Sequence, residues 1–264
     1  MTAAHSAALA ALAERPRSSL ELDRIMVAEL GRAESPIPRL AWRHFSAHVP
    51  LVHVPHDREG YGRSLYALAT DWLGAPDVPS WDLDAARRHV ARRYLSAFGP
   101  ASVEDLAAYV GRGWGGITPW RRAVESLGDE VVDLRDEAGR TLFDIADAPR
   151  PSADAPAPPR LLARWDSILL SHASRQRARI LDDEARAAVF TKNADVRPSF
   201  LVDGMVAGTW DLTRRDGAAS IALRPLRRLP QGSRDELEEE AARVLRIVAP
   251  GAAHSSVAVS AAPR

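Results

Sequence analysis

ASVEDLAAYVG at residues 101–111, TPWRRAVESLG at 118–128 and EVVDLRDEAGRTLFDIA at 130–146 follow one another along the chain. Ser102, with Asp105 three residues on, has the spacing of a capping box, in which each side chain accepts from the other residue's backbone N–H. Gly111 stops that helix. Thr118 and Pro119 open a second, on which Ala123, Val124 and Leu127 fall on one face. Val131–Leu134 and Thr141–Ile145 are strand-like and flank an Asp-Glu-Ala-Gly turn. The same order occurs upstream: SSLELDRIMVAELG at 18–31, PIPRLAWRHFSAHV at 36–49, then PLVHVP and RSLYALA around the charged tip HDREGYG at 56–62. Helix, helix, hairpin is the plan of a winged helix-turn-helix, and a repeat is firmer evidence of architecture than a single motif.

Around these repeats the chain divides into five regions. Residues 1–75 hold the first winged-helix unit with a leading helix over 1–17 that ends near Pro16. In its first repeat helix, capped by Ser18 or Ser19, Leu22, Ile25, Met26 and Leu30 share a face. Residues 76–147 hold the second unit, preceded by a long helix, Leu83–Phe98, that Gly99-Pro100 breaks. Residues 148–160 (APRPSADAPAPPR) read as a Pro/Ala-rich linker. Residues 161–250 form a β-rich module: Asp203-Gly204 and Asp216-Gly217, each between β-rich runs, mark a three-stranded meander over 199–225. A helix over Ser233–Val248 buries Leu237, Ala241, Val244, Leu245 and Val248. Residues 251–264 read as a loose tail. The expected class is α+β, with tandem winged helices and a C-terminal module that can close into a small barrel with strands of the wings.

Composition narrows the function classes. The 264 residues contain no cysteine, which excludes disulfides and thiol chemistry and suits a reducing cytoplasm. No apolar run reaches the ~20 residues of a membrane span, and the Ala-rich start lacks the basic flank of a signal peptide. The 35 basic and 35 acidic residues cancel. That balance does not argue for nucleic acid, although binding needs only one basic face. The basic residues are arginines except for Lys192. Arginine suits phosphate and guanine; a GC-rich genome accounts for the same bias. No histidine spacing fits a metal site, and no GxxxxGK[ST], GxGxxG or GxSxG motif is present, so neither metal nor cofactor is expected.

The sites with chemistry are then basic. On the helix from Thr118, the residues facing away from the core are Thr118, Arg121, Arg122 and Glu125, and the first turns of such a helix reach base edges or phosphates. Its counterpart over 38–48 exposes Arg39, Arg43 and His44, with His56, Asp57 and Arg58 at the following tip. Arg87, Arg88, Arg92 and Arg93 make a stripe at i, i+4 and i+5 that either neutralises phosphates or pairs with nearby acids such as Asp82 and Asp84. Asp166 and His172 form a conceivable acid/base pair, but six residues of separation set no geometry; Arg175, Arg177 and Arg179 follow. Each basic group has an alternative reading as a solvated or protein-binding face.

These residues also resemble a known family. Arg93-Tyr94-Leu95 before Phe98-Gly99-Pro100-Ala101-Ser102 and Asp105-Leu106-Ala107, then Leu161-Leu162, Trp165-Asp166, Leu169-Leu170, His172, Arg175, Leu201-Val202-Asp203-Gly204 and Gly208-Thr209-Trp210, look like the winged-helix family that includes the AlkZ/YcaQ-type DNA glycosylases. Pro50–Pro55, Tyr66 and Asp71-Trp72-Leu73-Gly74 extend the likeness to roughly residues 20–250. The resemblance implies tandem winged helices around a C-terminal β-barrel and binding of double-stranded DNA. It also implies excision of alkylated bases or unhooking of crosslinks without metal or organic cofactor. The family's Gln-apolar-Gln (or Gln-apolar-Asp) motif has no counterpart here: the glutamines are Gln176 and Gln231, and neither sits in such a motif. Ser174 stands where the family pattern leads us to expect Asp. The chain reads as starting inside the family pattern, past the first winged-helix unit. The expected function is therefore that of a DNA-binding relative lacking the catalytic motif or truncated of it. The alternatives are a glycosylase for alkylated or crosslinked bases and a protein-interaction scaffold.

Overall fold

The computed structural model describes residues 3–31, 40–55, 64–74, 82–111, 116–192, 195–230 and 232–261. They belong to two compact units, Met1–Ser80 and Trp81–Arg264.

In the first unit the Ala-rich start forms α1 (Ala3–Glu14), and Arg17–Ser18 is a two-residue strand, β1. Ser18 caps α2 (Ser19–Glu29): its Oγ accepts from the Glu21 backbone N–H at 3.2 Å, and Glu21 Oε2 accepts from the Ser18 N–H at 2.9 Å. That backbone donor holds the Glu21 carboxyl at a pKa of about 2. The depressed value means that this contribution to stability is present above the ordinary glutamate range and is lost as pH falls from about 4.5 to about 2. Ser18→Ala should lower stability by about 1 kcal/mol, read from a urea titration.

Leu22, Met26 and Val27 face inward from α2. Leu30, expected on that face, is exposed because α2 ends at Glu29 and Leu30 lies past its last turn. Buried Asp23 instead accepts the Trp42 backbone N–H of α3 (Leu40–Ser46) at 3.0 Å. Strands β2 (Leu51–Val54) and β3 (Leu65–Leu68) pair antiparallel, and β1 adds a third strand beside β3. A short helix, α4 (Ala69–Leu73), follows. Ala4, Ala8, Leu12, Leu22, Met26 and Phe45 form the core, the small alanines letting α1 lie close to α2.

The second unit begins with α5 (Leu83–Phe98), capped by Asp82, then α6 (Val103–Val110) and α7 (Thr118–Glu125). The hairpin β4 (Val131–Arg135) and β5 (Thr141–Ile145) forms a sheet of its own. Helix–helix–hairpin order thus recurs in both units. Gly99 packs where only hydrogen fits: a Cβ there would lie 2.3 Å from Asp144 Oδ1 and 2.6 Å from the Leu95 carbonyl.

Beyond residues 148–160, which run inside this same unit, β6 (Arg160–Leu162), α8 (Ser167–Leu170) and α9 (Asp183–Val189) lead into the meander. Its strands are β7 (Ser199–Val202), β8 (Met205–Arg215) and β9 (Ala218–Pro225). Both Asp-Gly pairs have positive φ at both residues, 50° and 73° at 203–204 and 50° and 75° at 216–217. That is the geometry a two-residue hairpin loop requires. Helix α10 (Ser233–Val248) buries Leu237, Ala241 and Leu245, together with Glu240.

Two expectations are corrected here. The stretch from His254 to Val259, read as part of a loose tail, is strand β10, paired in parallel with β9. The sheet order is β10-β9-β8-β7-β6, with distinct edges at β10 and β6, so the barrel does not close. The wing strands take no part in it: β4 and β5 satisfy each other, and the hairpin's outward bridge runs from Phe143 to Ala101.

Candidate nucleic-acid interface

On α7, Trp120, Ala123 and Val124 are buried, joined by Leu127 just past its end. Thr118, Arg121, Arg122 and Glu125 are exposed on the other side. The sequence periodicity predicted this division, except that Trp120 is also in the core. Arg121 approaches Glu104 of α6 at 3.8 Å, with both side chains about half exposed. A pair that long and solvated is weak, so a phosphate can displace it.

The stripe on α5 behaves differently. Arg88 donates from Nε to the Ser126 carbonyl at 3.1 Å and pairs with Glu130, and Arg92 Nε meets the same carboxylate at 2.8 Å. Hydrogen bonds from Arg92 and Arg88 hold the Glu130 carboxyl below the usual range. Arg87 pairs with Asp84 at 3.2 Å. Of the two readings open for this stripe, the structure supports pairing within the protein. The three arginines tie α5 to its own first turn and to the start of β4.

The tip of the β4–β5 hairpin is also internally paired. Asp136 accepts from the Arg140 backbone N–H and from its Nε at 2.6 Å, and Arg135 donates to the Gly139 carbonyl at 3.0 Å. In the first unit, Arg43 is exposed on α3. His44 stacks on His48 at 4.7 Å between ring centres and meets His5 Nε2 at 3.3 Å. Arg39, His56, Asp57 and Arg58 lie outside the described residues. Arg175 is exposed on a 3-10 turn, Ser174–Arg179.

Asp166 and His172 are not an acid/base pair. Asp166 caps α8, accepting the Ile168 N–H at 3.0 Å, and Trp165 before it turns the chain with φ 61°. His172 is buried elsewhere. Arg179 donates to its Nε2 at 3.2 Å, which leaves Nδ1 to carry the proton toward Ser171 Oγ at 2.9 Å. Burial and the Arg179 charge push the imidazole pKa down, against opposing pulls from Asp105 and the Phe98 carbonyl. Because the folded value lies below the unfolded one, the unfolded chain takes up a proton first as pH falls below about 6.5. We expect the melting temperature to drop between pH 7 and 5, and the drop to shrink in His172→Gln.

The contacts that sequence reading missed connect distant segments. Asp105, besides closing the capping box, accepts the Ala173 N–H at 2.9 Å from 68 residues away. Tyr94 donates its hydroxyl to the Ser171 carbonyl at 2.8 Å, and burial raises its pKa. Only the first half of Asp105's role carried a local signal. Among the described residues, no group of three or more metal-ligating side chains is gathered, and no helix is long and apolar enough to cross a membrane.

The family profile described as "DNA glycosylase AlkZ-like" matches residues 1–247, nearly the whole chain. The protein belongs to the AlkZ-like DNA glycosylase family. A relative from Streptomyces sahachiroi, described as an interstrand DNA cross-link repair glycosylase, is 28% identical over 214 residues, 78% of this chain and 53% of the relative. The chain therefore spans about half the length of the curated relative it matches. The solved structure of the Streptomyces sahachiroi DNA glycosylase AlkZ superposes with a TM-score of 0.67 at 25% identity, covering 97% of this chain and 68% of that one. The AlkZ-like match thus starts earlier than the likeness read over residues 20–250.

Proposed function

We propose that this chain binds double-stranded DNA through the exposed face of α7 and acts in the repair of alkylated or crosslinked bases, as a glycosylase. The observation that carries the DNA contact is the placement of Thr118, Arg121 and Arg122 together on the outward side of a helix whose inward side is fully packed. Family membership favours the glycosylase reading over that of a non-catalytic relative. A base inside a duplex must leave the stack before its glycosidic bond can be attacked, so such a protein needs a firm hold on the flanking backbone. Arginine forks on a rigid helix provide one. Gln176 and Gln231 stand outside any Gln-apolar-Gln motif, so no catalytic residue is assigned within this chain.

The test has two parts. Affinity for an unmodified fluorescent duplex across a salt series should fall steeply with salt. Arg121→Ala with Arg122→Ala should weaken it by at least tenfold at about 100 mM salt and flatten the slope by up to about 1.8. Duplex carrying N7-alkylguanine should then yield abasic sites. Binding without abasic sites would return the reading to a DNA-binding relative. No binding even at low salt would favour a protein-interaction scaffold.

A further inference from the structure

Four arginines crowd the segment from Ser174 to Arg186: Arg175, Arg177, Arg179 and Arg186. Arg179 is occupied by the Pro100 carbonyl and by His172. Among the described residues, neither Arg177 nor Arg186 has a carboxylate within hydrogen-bond range. Arg177 is half-buried, lies over the Phe190 ring at 5.1 Å and donates from Nε to the His172 carbonyl at 3.0 Å. Among the described residues its terminal nitrogens meet no acceptor. Arg186 donates from one terminal nitrogen to Ser174 Oγ at 2.8 Å. Its Nε is buried without an acceptor in hydrogen-bond range, and the nearest carboxylate, of fully exposed Asp183, stands 3.9 Å away. Of the other two acids at this end of α9, Asp182 is taken by Arg227 at 2.6 Å, and exposed Glu184 makes no ion pair with either arginine among the described residues. Burial and the neighbouring charge of Arg186 press the Arg177 pKa downward, so the two guanidinium groups are close enough to repel.

Holding two like charges together, partly out of water and with one small hydroxyl between them and the chain, is unfavourable unless an anion completes the arrangement. Planar guanidinium groups beside a hydroxyl suit the oxygens of a phosphate. We infer that Ser174, Arg177 and Arg186 form a phosphate-binding site, and that its occupant is a phosphodiester of bound DNA. The occupant, though not the site, rests on the DNA reading above. The exposed neighbour Arg175 extends the same basic surface.

Inorganic phosphate is the probe, compared with chloride at equal ionic strength. Near ten times its Kd, phosphate should raise the melting temperature by about 3 °C. Ser174→Asp supplies Arg186 with a carboxylate and Arg186→Gln removes its charge; both should abolish the shift. In duplex titrations each should make the slope of log affinity against log salt shallower by about 0.9, one phosphate contact. A phosphate shift lost in both variants, with wild-type protein that binds no duplex, would keep the site, assign it a free phosphate and overturn its DNA occupant. Salt-dependent duplex binding unchanged in both variants, with no phosphate-specific shift, would overturn the inference and leave the DNA reading standing.

Discussion

Asp105→Ala should lower the melting temperature of the Trp81–Arg264 unit by about 10 °C, seen by circular dichroism or calorimetry. The carboxylate is 1% exposed and accepts three hydrogen bonds: from the Ser102 N–H at 3.0 Å, the Ser102 hydroxyl at 2.7 Å and the Ala173 N–H at 2.9 Å. Alanine leaves one buried and one half-buried backbone donor without an acceptor. At roughly 1.5–3 kcal/mol for each bond to a charged group, discounted for relaxation, the change is about 4 kcal/mol. In a unit of this size each kcal/mol moves the midpoint by about 2–4 °C. Asp105→Asn should sit between the two proteins, because one amide oxygen can still serve Ser102 while the amide nitrogen faces another donor at Ala173. A midpoint within 2 °C of wild type for Asp105→Ala would mean that the Ala173 segment finds a different partner.

Gly208→Ala should be destabilising by about 3 kcal/mol, a fall of about 9 °C in the same melts. Gly208 sits opposite Phe200 on β7 and Pro225 on β9. A Cβ there would lie 2.2 Å from the tip of the Phe200 ring and 2.4 Å from the Arg224 carbonyl. The ring is fully buried in the core beneath α10, so it has no open direction in which to swing. Gly251→Ala is the control, since a Cβ there meets nothing within 4 Å. Equal midpoints for the two variants would show that the sheet relaxes around position 208.

Features whose causes are local were legible in the sequence. Ser102 and Asp105 announce their cap, Gly99-Pro100 ends α5, and the two Asp-Gly pairs place the meander because the positive-φ turn is encoded in two adjacent residues. The outward face of α7 was legible for the same reason, since a period of 3.6 sorts its residues without reference to the rest of the chain. What escaped depends on segments far apart. Arg88 and Arg92 gave the signature of a phosphate-binding stripe, yet their partner Glu130 comes 42 and 38 residues later. Arg186 carried no motif; its significance lies in where α9 brings it, next to Ser174 and Arg177. The Ser-rich run at 254–259 lacks the apolar alternation of a half-buried strand, and its parallel pairing with β9 follows a whole intervening helix.

That last strand moves the sheet's edge outward, from an apolar-backed strand to a more polar one. β9 turns Ala219, Ile221 and Leu223 inward, a run suited to pairing with any strand offered to it. β10 occupies its free edge from His254 opposite Ala218 to Val259 opposite Leu223 and begins with exposed His254, Ser255 and Ser256. The family match ends at residue 247, before β10 begins. A chain shortened to that boundary would lose only the last residue of α10 from the described helices of the second unit, but bare a six-residue, apolar-backed edge, the form of surface through which β proteins stick to copies of themselves.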